Sequence, residues 1–304
     1  MIVLITGANG QLGLELLKSL HIFNNEIDLY GIDIIFDNTI NEYNYHTIKC
    51  DITNKIQVFD IINKIKPNVI VHCAAYTNVD KAEDDRDSAS SINNLGTFII
   101  TLAAKEVNAK MIYISTDYIF DGSGKDPWKP SDINYNPLNY YGLTKLYGEK
   151  HVTSLLNKYF IIRISWLFGL YGKNFVSTMI NLAKDHKQIS VINDQIGRPT
   201  YTTDLVNVIK TMLYSDKFGI YHCSNSGDYI SWYDYCKQIY EYMNIHDVIV
   251  NPIDSESYNA KVIRPKNSRL DISKLEDLNI TMPDWRDSLK IYLNLKYKKE
   301  SSLI

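Results

Sequence analysis

Tyr141 and Lys145 stand four residues apart in Tyr141-Gly142-Leu143-Thr144-Lys145, about 25 residues after the run Ser115-Thr116-Asp117. On a helix, residues four apart share a face, so the ammonium lies beside the phenol. A tyrosine ionises near pKa 10 and is a poor acid at neutral pH. A neighbouring positive charge favours the tyrosinate and lowers that value, which is the tuning a general acid needs near pH 7. The spacing alone decides nothing. The 304 residues include 23 Tyr, and the same pair recurs at Tyr233/Lys237 and Tyr292/Lys296. Those two read as helix-surface pairs. Context selects Tyr141 and Lys145, with the hydroxyl of Thr116 as the third member of a hydride-transfer site.

That context begins at the N-terminus. Gly7-Ala8-Asn9-Gly10-Gln11-Leu12-Gly13 follows an apolar run and opens a helical pattern. Glycines at Gly7, Gly10 and Gly13 permit a tight turn and let backbone approach a diphosphate, with Asn9, Gln11 and Leu12 completing the loop. Free N–H groups and the helix dipole favour an anion there. Asp33 follows about 20 residues after Gly13, where a carboxylate accepts hydrogen bonds from the adenosine ribose hydroxyls. It would repel a 2′-phosphate, and Ile34, Ile35 and Phe36 supply no cation to reverse that, so Asp33 leans toward NADH. Asp51 and Ile52 are placed to flank the adenine. Ala74 and Ala75 are small enough for a cofactor to lie on the sheet edge.

The elements that must hold these residues alternate. Apolar β runs are expected at residues 2–6, 29–33, 47–50, 69–74, 110–115 and 160–165. Helical patterns fall at 11–20, 55–66, 90–108 and 139–157, with a Pro- and Gly-rich loop over 121–137. This is the pattern of a parallel sheet covered on both faces, an α/β Rossmann-type doubly wound fold. Beyond Trp166 the rhythm loosens into helices at 174–186, 203–214 and 231–243, strands at 189–192 and 219–223, and then short helices and loops. The expected division is a dinucleotide-binding domain over 1–165, with returning segments about 190–228, and a smaller C-terminal substrate lobe from 166–189 and 229–304.

Bulk properties exclude other classes. Hydrophobic residues make up 45% and charged residues 22%, as in ordinary globular proteins. A net charge of −3 gives no nucleic-acid or membrane surface. Cys50, Cys73, Cys223 and Cys236 form no Cys-x-x-Cys pair and read as free thiols of a reducing compartment. No metal-ligating His cluster is seen, no apolar run approaches a membrane span, and Met1-Ile2-Val3-Leu4-Ile5 reads as a strand rather than a signal peptide. A cytoplasmic protein is expected.

At this point the residues resemble a family. The chain is similar, over nearly its whole length, to dTDP-4-dehydrorhamnose reductases, which are extended short-chain dehydrogenases/reductases. The matching segments are GANGQLG (7–13), CAAYTNVDKAE (73–83), STDYIFD (115–121), PLNYYGLTKLYGE (137–149), RISWLFG (163–169), NDQIGRPT (193–200) and RPKNSRL (264–270). The resemblance implies that NADPH or NADH delivers hydride to the C4 ketone of a nucleotide-linked 4-keto-6-deoxy sugar, giving an L-rhamnose-type nucleotide sugar. It implies that Tyr141 protonates the developing alkoxide, that Lys145 lowers the Tyr141 pKa and binds the nicotinamide ribose, and that Thr116 donates to the same oxygen. Thr77 and Tyr118 would line the sugar pocket and Trp166 would wall the sugar or base. Asn174, Gln195 and Arg264 would serve the nucleotide diphosphate end. Arg198 stands as an alternative there, or as a surface residue before Pro199. Some members bind Mg²⁺ at a dimer interface. Here Glu15 matches one such position, Asp204 replaces an expected Glu and Leu295 fills the third, so no metal is expected and a homodimer is left open.

Other readings are carried alongside. The substrate could be a UDP-linked 2-acetamido-4-keto-6-deoxy sugar. A 4,6-dehydratase would carry Thr-Asp-Glu at this strand end, but Tyr118 follows Asp117. Bifunctional epimerase/reductases place a Cys where Asp117 stands. A regulatory subunit of methionine adenosyltransferase would share the fold and act by binding its partner.

Overall fold

The computed structural model describes residues 1–23, 26–36 and 45–298. Seven parallel strands form one sheet: β1 (Ile2–Thr6), β2 (Asp28–Asp33), β3 (His46–Lys49), β4 (Val69–His72), β5 (Lys110–Thr116), β6 (Tyr159–Ile164) and a returning strand at Gly219–Cys223, in the spatial order returning strand, β6, β5, β4, β1, β2, β3. The order reverses between β1 and β4, so the C-terminal ends of these two strands open a crevice where α/β sheets take their ligands. Helices α1 (Gln11–Phe23), α2 (Lys55–Ile65), α3 (Val79–Asp84), α4 (Arg86–Ser90), α5 (Thr97–Glu106) and α6 (Tyr140–Leu155) connect the strands. The expected α/β doubly wound sheet is present. Both faces are apolar: Val3, Ile5, Leu16, Leu20 and Ile162 pack in one layer, and Leu4, Ile70, Ile100, Met111 and Ile161 in the other.

The later segment adds β7 (Leu167–Phe168), α7 (Phe175–Asp185), β8 (Gln188–Ile192), β9 (Ile196–Gly197), β10 (Thr200–Tyr201), α8 (Thr202–Tyr214), the returning strand as β11, β12 (Ile230–Ser231), α9 (Trp232–Tyr242), β13 (Ile249–Ile253), α10 (Ser255–Tyr258), β14 (Asn267–Ser268) and α11 (Trp285–Leu293). Three small sheets join β10 to β7, β12 to β9 to β14, and β13 to β8. A separate apolar cluster holds them, built on Phe168, Tyr201, Tyr235, Trp285 and Tyr292. Tyr292 is therefore a core residue rather than a surface one, with the Lys296 ammonium 5.5 Å from its ring centre.

Two expected elements differ. The β run over 69–74 pairs only to His72, because the chain leaves the sheet at Cys73 to form a wall of the crevice. The long helix expected over 90–108 is interrupted by a π-helical turn at Ser91–Gly96. Asn93 inside it accepts from Tyr76 N and donates to Tyr76 O and to Thr144 Oγ1, tying the turn to the crevice wall and to α6. Such turns gather at functional sites, and Ser91 and Ile92 line the crevice.

Candidate active site

The glycine turn is shaped for close approach of a ligand. Gly7 has φ +65, and a Cβ there would lie 2.6 Å from Ala74 N. At Gly13 a Cβ would lie 2.1 Å from the Gly7 carbonyl oxygen, so no other residue closes this turn without moving backbone. The turn is pinned from beneath, where Ala8 N donates to Ile32 O and Asn9 N donates to Asp33 Oδ2 at 2.9 Å. Asp33 Oδ1 also accepts from Ile34 N at 2.7 Å, leaving lone pairs on both oxygens for further donors.

A cleft of about 1020 Å³ runs from this turn to Tyr141. Gly7, Gly10, Gln11, Leu12, Gly13, Asp33, Asp51, Ile52, Ala74 and Ala75 line one part. Thr77, Thr116, Tyr118, Tyr141, Lys145 and Trp166 line the other. Asn9 is held at its backbone and is not on the lining. The glycine cradle, the α1 N-terminus and the Asp33 carboxylate fit a dinucleotide with its diphosphate at the turn and its ribose at Asp33.

Thr116 ends β5, and α6 begins at Tyr140. Asn139 caps α6 by accepting from Gly142 N at 2.9 Å, which sets Tyr141 in the first turn. The Thr116 hydroxyl faces the Tyr141 phenol and favours its ionised form. Thr116 Oγ1 also donates to Asp117 Oδ1 at 3.2 Å and accepts from Tyr118 N. The Tyr118 ring meets Tyr141 edge-on, with centroids 5.7 Å apart.

The electrostatics differ from the simple pairing that the spacing suggests. Burial dominates at Tyr141 and pushes its pKa up to about 12, with the Thr116 hydrogen bond opposing. Lys145 is anchored to the end of β5. Its Nζ donates to Ile114 O at 2.7 Å and lies 4.1 Å from the centre of the Tyr113 ring. Burial lowers it to about 7, against the pull of the Glu149 carboxylate. The reason is desolvation: the same burial that forms the site disfavours both charged forms. A phenol at about 12 stays protonated across the physiological range and is therefore available as an acid.

The remaining expected residues divide. Trp166 adopts φ +51, a strained conformation for a bulky residue. Its ring stacks on Trp232 at 3.6 Å. Arg264 lines a second cavity of about 360 Å³, together with Gln195. Its guanidinium bonds Asp80 at 2.7 Å and the Tyr118 side chain, so it links the walls of the two cavities. Asn174 lines neither. It caps α7, accepting from Ser177 N at 3.0 Å and donating to Gly169 O at 2.9 Å. Arg198 is buried rather than a surface residue, donating to Leu270 O and Gly227 O.

Glu15 and Asp204 are engaged within the chain. Glu15 Oε1 accepts from Thr203, and Asp204 Oδ2 accepts from Asn225 and Ser288. Leu295 adds no side-chain oxygen to them.

Sequence reasoning missed Asp117 and Trp232 as lining residues. Asp117 is 2% exposed, and its Oδ2 has no hydrogen-bond partner among the described residues. Burial pushes its carboxyl up to about 7, opposed by hydrogen bonds from Ser268 and Thr116. A carboxylate beside the strand-end hydroxyl was a usable signal. Trp232 had none, because an aromatic at the start of an amphipathic helix reads as core.

The RmlD substrate binding domain family model matches residues 1–297. A dTDP-4-dehydrorhamnose reductase of Aggregatibacter actinomycetemcomitans is 39% identical over 300 residues, covering 95% of this chain and 97% of that protein. The crystal structure of dTDP-4-dehydrorhamnose reductase from Bacillus anthracis str. Ames in complex with NADP is 42% identical with a TM-score of 0.86, covering 96% of this chain and 98% of that one. A dTDP-4-dehydrorhamnose reductase from Clostridium acetobutylicum is 41% identical with a TM-score of 0.85, covering 97% and 99%. A family model matched over residues 1–297 and relatives 39–42% identical along nearly the whole chain place it in the dTDP-4-dehydrorhamnose reductase family.

Proposed function

We propose that the protein is an NAD(P)H-dependent reductase of the C4 ketone of a nucleotide-linked 4-keto-6-deoxy sugar, with dTDP-4-dehydrorhamnose as its substrate and a rhamnose-type nucleotide sugar, a polysaccharide precursor, as its product. The observation that carries the reading is that Tyr141 and Thr116 line one end of a cleft whose other end is the glycine cradle. The relatives' names support the dTDP sugar.

Reduced nicotinamide, when bound, supplies the hydride that reaches the C4 carbon. Every other part belongs to this chain. The Gly7–Gly13 turn receives a diphosphate, and Asp33 accepts the ribose hydroxyls. Asp33 alone leans toward NADH, but a relative 42% identical is described in complex with NADP, so the reading takes either NADPH or NADH. Tyr141 gives its phenolic proton to the C4 oxygen as negative charge develops there. Thr116 Oγ1 turns its one proton from Asp117 Oδ1 to the same oxygen, a stabilisation realised most fully in the transition state. The Lys145 ammonium offsets the negative charge left on the Tyr141 oxygen. Trp166, Thr77 and Tyr118 wall the sugar, and Arg264 faces its diphosphate. The small sheets and their helices act as the substrate lobe.

Tyr141→Phe removes the proton donor while keeping the ring. It is expected to lower kcat by about 10²–10⁴, with NADPH binding by fluorescence titration unchanged. Near-normal turnover by that variant would exclude Tyr141 as the acid.

A further inference from the structure

Glu149 is a buried carboxylate with no part in the steps above. It lies on α6 one turn beyond Lys145 and two beyond Tyr141, so the three residues share a face. Its oxygens accept from Arg163 Nη2 at 2.8 Å and Nε at 3.0 Å, and from Ser115 Oγ at 2.5 Å. Arg163 belongs to β6 and is fully buried, and Ser115 precedes Thr116 on β5. Arg163 also donates to the Tyr135 hydroxyl at 2.8 Å. One carboxylate thus ties the catalytic face of α6 to the ends of two strands.

Lys145 sits where a charge is hard to keep. It is 3% exposed, and burial opposes its ammonium form. The Glu149 carboxylate acts in the opposite direction. The other titratable groups facing Lys145 bring no full charge near neutral pH. His72, at the end of β4, is held down to about 3 by burial, and Cys73 beside it is pushed up to about 12. Tyr113 on β5 is raised well above its ordinary value by burial, and Tyr141 on α6 reaches about 12.

We infer that Glu149, clamped by Arg163 and Ser115, is a positioning residue that keeps the Lys145 ammonium charged and seats the Tyr141–Lys145 face of α6 against Thr116. Its meaning for turnover rests on the ketoreductase reading, but the charge of Lys145 can be read without any substrate.

The test is an NMR titration of lysine ¹³Cε signals in the full chain, with Lys145 assigned through Lys145→Arg. Glu149→Gln removes the charge and keeps the shape. It leaves Arg163 buried and unpaired, which can prevent folding, so Glu149→Gln/Arg163→Gln is measured beside it. Glu149→Asp retains the charge. The Lys145 midpoint is expected to fall by about one pH unit or more in Glu149→Gln, as loss of a nearby opposite charge requires, to fall by less in the double variant, which also loses the Arg163 cation, and to return in the Asp variant. The high-pH limb of kcat should fall with it, because a neutral lysine no longer offsets the tyrosinate. An unchanged midpoint and limb, with only a lower melting temperature, would overturn the inference and leave Glu149 a structural residue. If the wild-type protein reduces no 4-keto sugar nucleotide, the ketoreductase reading fails, while the NMR midpoint still decides the role of Glu149.

Discussion

Asp117 shows what burial does to single groups in this site. Its carboxyl is raised from 3.8 to about 7 in the fold. The folded protein therefore holds a proton that the unfolded chain has lost between about pH 4 and pH 7. Stability from this group is fully present below pH 4 and falls as pH rises through that window, because ionised Asp117 lacks adequate partners. Asp117→Asn removes the ionisation and keeps the shape. It should raise stability by roughly 2–4 kcal/mol at pH 8 and by nothing measurable at pH 4, as read by urea unfolding at the two pH values. Equal effects at both would mean that Asp117 is not the buried, proton-linked group described. Thr116 and Tyr141 were legible as residue types in the sequence. Their pKa values were not, because the spacing of Tyr141 and Lys145 shows proximity of charge and says nothing of desolvation, which here is the larger effect.

At the scale of elements, the strand–turn–helix at Gly7–Gly13 was legible because Gly7 and Gly13 each answer a steric demand that no other residue meets. Gly13→Ala should place a methyl 2.1 Å from the Gly7 carbonyl oxygen. Backbone must then shift, at about 1–3 kcal/mol or more, and NADPH binding measured by fluorescence titration should be lost. Normal affinity in that variant would contradict the cradle. The strands of the main sheet were readable as apolar runs. The two-residue strands β7, β9, β10, β12 and β14 were not, since they carry no period of their own and exist only where distant segments meet. β13 was hidden as well. It contains Pro252, which a sheet tolerates because β13 pairs on one side only, with β8. The Trp166–Trp232 stack belongs to this scale too. Trp232→Ala removes the ring that backs a strained Trp166. The expected result is an increase of about tenfold in KM for the sugar nucleotide, the scale of a lost aromatic contact, with NADPH affinity unchanged. An unaltered KM would show that Trp166 needs no support.

Across the whole molecule, a parallel sheet with its order reversal between β1 and β4 presents the cleft, and the second half of the chain supplies Trp166, just before β7, and Trp232, at the start of α9, to its lining. A ligand that binds only the folded state stabilises it, by about 2.7 kcal/mol at a concentration one hundred times its Kd. NADPH at that level should raise the melting temperature of the wild-type chain and leave that of Gly13→Ala unmoved. The dinucleotide half of the site was legible from the sequence because its residues lie close together along the chain. The sugar half was legible only in part, since Asn174, Gln195, Arg198 and Arg264 could be placed only once the later segments were folded against the sheet. The central claim is turnover, and it is tested by following nicotinamide oxidation with dTDP-linked 4-keto-6-deoxy sugars, with and without a separate 3,5-epimerase. The account predicts that NADPH or NADH is consumed when the epimerised dTDP sugar is present and that this consumption is lost in Tyr141→Phe. No oxidation with either cofactor, using protein that binds NADPH, would contradict it.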